Sequence, residues 1–94
     1  MIIREFRERC LADSRLRQLW LDLMDATLES AAVRTRTAFA RHGGRQPDET
    51  DVALLSLLSQ RFENARDQLT AEAGKLGLAP DSPLTADTLL ELSA

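Results

Sequence analysis

The four glycines and three prolines of this 94-residue chain all fall in two short stretches. Gly43, Gly44 and Pro47 mark the first, and Gly74, Gly77, Pro80 and Pro83 the second. Both residue types interrupt helices, so the chain is divided into an N-terminal half, a central segment and a short tail. Nothing in the first 42 residues interrupts a helix in this way. Strands would need apolar residues at every second position, and no segment has that alternation.

The central segment has the cleanest period. Leu55, Leu58, Phe62, Ala65 and Leu69 are spaced by alternating steps of three and four, which puts one apolar stripe on one side of a helix. Asp48, Glu49 and Asp51 stand where carboxylates cap free amides and favour the positive helix end. Gly77 suits the left-handed position after the last turn, with Leu78 folding back and Pro80 preventing continuation. The expected helix covers about 48–76.

The N-terminal half carries a broader stripe: Leu16, Leu19, Trp20, Leu23, Met24, Leu28, Ala31, Ala38 and Phe39. Ile3, Phe6 and Cys10 follow the same spacing, but its continuation lands on Asp13 and Arg17. Asp13 or Ser14 can cap a new helix. The expectation is a short helix at about 2–11 and a long one at about 14–42. A last helix is expected at about 83–92, with Ser82 as cap and Pro83 in its first position.

The fold expected is therefore all-α, one domain over residues 1–94: an antiparallel hairpin of two long helices with short N- and C-terminal helices. The first turns of the central helix raise a difficulty. Val52, Ala53, Leu54, Leu55, Leu57 and Leu58 point almost all round its axis. One neighbouring helix cannot cover Leu54 and Leu57 together with Leu55 and Leu58. The short helices can fold back over them, or a second copy can complete a four-helix bundle, or another protein can dock. Trp20, Leu54, Leu57 and Leu58 are thus candidate interaction residues.

Charge is uneven. Residues 1–46 hold nine arginines and six acids, and residues 47–94 hold three basic residues and nine acids. The net of -3 is a sum of +3 and -6, which suits two arms that attract each other. From Ser30 to Pro47 stand Arg34, Arg36, Arg41 and Arg45 with no acid among them. Arg34, Arg41 and Arg45 share a face if the helix runs that far. Such a tip can bind phosphate, nucleic acid or an acidic partner. It can equally complement the negative end of its own helix. Nucleic-acid binding is not favoured, because the pI is near 5.1 and the chain has no Tyr, three Phe and one Trp.

Catalytic and metal chemistry find little to work with. One cysteine cannot form an internal disulfide, and one cysteine with one histidine cannot build a His/Cys zinc site. His42 falls at the turn and Cys10 within an apolar stripe, so neither pairs with an evident base or orienting group. No cofactor is expected. The longest apolar runs are about four residues, such as Val52–Leu55, so no helical membrane span is expected. A charged start without a signal-peptide core and a lone cysteine fit a reducing, cytoplasmic setting.

Residues Asp51–Arg61, followed by Gly74-Lys75-Leu76-Gly77-Leu78, resemble the first helix of the all-helical chorismate mutases. In that family two arginines and a lysine hold a dicarboxylate substrate. Arg61 stands at one of these positions, but Gly44 and Glu72 stand at the others, with Arg45 and Lys75 only nearby. The family also has two further helices where this chain has a short tail. The residues fit better a non-enzymatic interaction module: an adaptor, a chaperone-like subunit, or an inhibitor or anti-activator, working as a homodimer or with another protein. The alternative is a nucleic-acid- or anion-binding regulator that uses the basic tip.

Overall fold

The computed structural model describes residues 1–93 and contains four helices: α1 (Ile3–Ala12), α2 (Ser14–His42), α3 (Glu49–Lys75) and α4 (Ala86–Ser93). The described residues include no strand. Local chemistry sets the boundaries. Asp13 is the single extended residue between α1 and α2, and its carboxylate accepts from the N–H groups of Arg15 (3.0 Å) and Leu16 (3.1 Å). Asp48 caps α3 in the same way, accepting from Thr50 N–H at 2.8 Å.

Both long helices end in the same motif. Gly44 and Gly77 have positive φ, 74° and 75°. At the end of α2, Arg45 N–H reaches Ala40 C=O (2.9 Å) and Gly44 N–H reaches Arg41 C=O (3.0 Å). At the end of α3, Leu78 N–H reaches Ala73 C=O and Gly77 N–H reaches Gly74 C=O, both at 3.0 Å. This Schellman pairing satisfies carbonyls that a helix end leaves open, and its left-handed residue favours glycine.

The last helix starts later than its expected beginning near residue 83. Residues 83–85 are non-helical, and Thr85, in place of Ser82, caps α4 by accepting from Thr88 N–H at 3.2 Å. Leu84 and Leu89 are both buried. Five residues apart on one helix they would point about 140° from each other, so only one would reach the core. An extended Leu84 followed by a helix lets both reach it.

α2 packs chiefly on α3, then on α1 and α4. Ion pairs give the direction of the hairpin: Arg15–Glu72 (3.4 Å), Glu29–Arg61 (2.8 Å) and Arg36–Asp51 (3.1 Å) join rising positions on α2 to falling positions on α3. The arms are antiparallel. Exposed pairs of this kind contribute little energy, but they discriminate between registers. α1 folds back so that Phe6 meets Trp20 edge-on, with ring centroids 6.4 Å apart. Asp81 N–H donates to Met1 C=O at 2.7 Å, which ties the tail to the start of α1.

The core gathers at one end of the hairpin. Phe6, Cys10, Leu16, Trp20, Leu23, Leu69, Ala73, Leu84 and Leu89 form it. All its α2 members precede residue 24, and all its α3 members follow residue 68. The other half, near the turn, is two helices without further cover. The molecule is accordingly long, 48 × 21 × 19 Å. Its radius of gyration is 15.0 Å, where a compact chain of this length has about 12 Å.

Candidate interaction surface

The residues singled out from the sequence separate into inner and outer groups. Trp20 is 3% exposed and belongs to the core of its own chain. Leu58 is 5% exposed, beneath α2. Leu54 and Leu55 are half-buried. Leu57 is 69% exposed and Val52 47% exposed. The short helices do not reach these residues, because α1 and α4 pack at the far end of the hairpin. Of the four candidate interaction residues, Leu57 alone is fully outward, and it borders an α2–α3 groove with Leu19, Asp22, Arg61 and Ala65.

The broad α2 stripe also divides. Inward positions are Leu16, Trp20, Leu23, Ala26, Thr27, Ser30, Val33 and Thr37. Leu28 is 48% exposed and Phe39 75%, and Ala38 is exposed as well. The expectation that all three share one apolar face with Leu16, Trp20 and Leu23 is corrected, and the reason is polar camouflage. The inward face of α2 continues past Leu23 through small hydroxyl residues that hydropathy does not flag. Thr27 donates to Leu23 C=O (2.8 Å) and Thr37 to Arg34 C=O (2.9 Å), so each is buried with its hydroxyl satisfied by its own helix. Small side chains thus fill the inward face there, and the larger Leu28 and Phe39 remain outside.

Those two, with Leu21 at 47% exposure, form an outer stripe on α2 that the sequence reading missed. Leu21, Leu28, Ala32, Thr35 and Phe39 are spaced by 7, 4, 3 and 4, so they share one side of the helix. All are exposed and none is charged. The signal lay in the sequence as a second period-3.6 set, hidden because the two stripes together read as one broad face.

The basic tip is not one cluster. Arg36 lies across the hairpin on Asp51, donating from Nε to Oδ2 (3.3 Å) and from a terminal nitrogen to Oδ1 (3.1 Å). These bonds hold its guanidinium more firmly protonated than usual. Arg45 lies beyond the end of α2, so it does not continue a helical face with Arg34 and Arg41. Arg34 borders a cleft of about 290 Å³ with Ser30, Phe62, Glu63, Arg66 and Thr85. The acid Glu63 offsets part of the positive charge of the two arginines there. At the other end of the hairpin, the hydrogen bond from Lys75, with Arg15 adding, holds the Glu72 carboxyl below its ordinary range.

Among the described residues no three His, Cys, Asp or Glu side chains stand close enough to hold a metal ion, and no helix is long and apolar enough to cross a membrane. Compared with known proteins, the chain matches no family model, and it has no significant match among curated sequences or solved structures.

Proposed function

We propose that this protein is a non-enzymatic helical interaction module that associates with itself as a homodimer and offers its hairpin to partner proteins. The observation that carries this reading is the uncovered distal half. Two helices alone enclose a thin core, and Phe39 and Leu57 on their outer sides are the two most exposed large apolar side chains. The accessible surface is 6126 Å², where a monomer of this mass exposes about 5,400 Å². Apolar side chains left out along a helical arm are typical of surfaces that meet another helix. The basic-tip reading has less behind it, because Arg36 is held by Asp51 and Arg45 stands apart from Arg34 and Arg41.

The test is light scattering over a wide concentration range. The wild-type chain is expected to be a dimer, and the double variant Phe39→Glu, Leu57→Glu a monomer with the same helix content. Both side chains are outward, so the substitutions spare the core, whereas Leu54→Glu would disturb a half-buried position. A wild-type monomer at the highest concentration reached would overturn self-association.

A further inference from the structure

We infer that the second copy docks on the outer face of α2, antiparallel to it, with Phe39 of each chain seated in a cleft at the far end of α2 of the other. This rests on the self-association reading and names its surface.

The knob and the hole lie on the same helix. Phe39 is 75% exposed near the distal end of α2. Near the other end is a cleft of about 170 Å³ bordered by Leu11, Trp20, Leu21, Met24, Leu92 and Arg7. An apolar cavity of about 150 Å³ holds one benzene ring, so the cleft is of the right size for a phenylalanine side chain. Leu21 and Phe39 are about 27 Å apart along the helix. A two-fold axis crossing the outer face midway between them, at residue 30, brings each Phe39 to the other chain's Leu21. The same axis sets Leu28 against Ala32, large against small, at the centre. An interface in which one patch serves both copies is what a two-fold dimer requires.

Two further features point the same way. The Nε of Arg7 is buried with no hydrogen-bond partner among the described residues, and Arg7 borders the cleft. An aromatic ring over that guanidinium gives its positive charge a favourable neighbour. Charge also matches. Asp25, toward the proximal end of α2, and Arg36, toward the distal end, lie on the same flank of the outer stripe. Antiparallel pairing about this axis sets Asp25 beside the partner's Arg36 on the same side of the seam, where Arg36 can keep its bonds to Asp51 of its own chain. A parallel pair would separate the same two residues by about 16 Å along the helices.

The experiment has three arms, all on the full chain. Phe39→Glu is expected to weaken dimerisation at least tenfold by analytical ultracentrifugation, and Leu57→Glu to leave it unchanged. Trp20 borders the cleft and is the chain's one tryptophan, so its emission intensity should change as a phenylalanine ring seats beside it in the wild-type dimer, and not in Phe39→Glu. Mixing Leu28→Cys with Ala32→Cys under mild oxidation should give the mixed disulfide dimer ahead of either like pair. The native thiol, Cys10, is fully buried and does not compete. Dissociation by Leu57→Glu and not by Phe39→Glu would overturn this face while leaving self-association standing. Preferred like-pair crosslinks would overturn the antiparallel register. A wild-type monomer would remove both readings.

Discussion

Cys10 has no exposed surface, and its neighbours in the core are apolar. Burial, with the nearby Asp13 carboxylate adding, pushes its thiol up to about 11 from an ordinary value of 9.0. The folded protein therefore keeps this proton over an interval in which the unfolded chain gives it up. Fewer protons bound to the unfolded state means that stability falls as pH rises from about 9 to about 11. The full loss is about 2–3 kcal/mol. Urea midpoints measured at pH 8.5 and 10.5 should drop more for the wild type than for Cys10→Ala. Equal drops would show that the thiol does not titrate from a buried state. The sequence alone made Cys10 a small apolar filler in the Ile3/Phe6 stripe, and the structure agrees. It could not show Trp20 as wholly internal, because a tryptophan serves equally well in a core or at an interface until its covering residues are known. Phe6 from another helix supplies that cover.

Helix ends were legible because their chemistry is local. Asp13, Asp48 and Gly77 do what their types and positions suggest, and Gly44 repeats the Gly77 motif at the end of α2. The start of α4 was not legible, since it depends on Leu84 and Leu89 both reaching a core built by other helices. One glycine is different from the rest. Gly74 lies inside the last turn of α3, has no positive φ, and a Cβ added there would meet no atom within 4 Å. Its backbone freedom serves no visible purpose in the folded state. Gly74→Ala should raise stability by about 0.5–1 kcal/mol, seen as a higher thermal midpoint. An unchanged or lower midpoint would mean that the last turn of α3 needs the glycine.

The whole molecule is a rod with its cohesion at one end. The four-element core occupies the proximal half, and no core member lies beyond Leu23 on α2 or before Leu69 on α3. A two-helix arm with small inward side chains opens at lower free energy than a core enclosed on all sides. Hydrogen exchange on a dilute sample should therefore show lower protection in 33–42 and 49–57 than in 16–24 and 66–73. Equal protection throughout would show that the arm is as firmly held as the core. The scarcity of apolar residues facing inward on distal α2 also explains why the candidate surface was only half foreseen. Leu57 was found by noting that the leucines of α3 surround its axis. Phe39 and Leu28 read as part of one broad apolar face, because a helix with two apolar stripes looks the same in sequence as a helix with one wide stripe.

The sequence by itself determined the number of helices, their approximate limits and the antiparallel hairpin. Those follow from breakers, caps and the 3.6-residue period, all of which act within a few residues along the chain. Only the tertiary structure decided which side of α2 is inside, where α1 and α4 give cover, and which apolar residues are left outside. Those outcomes depend on competition among faces for one partner helix. Thr27, Ser30 and Thr37 hold the inward side of α2 with small side chains, the two threonines bonding their hydroxyls within their own helix, and the larger Leu28 and Phe39 are left outside.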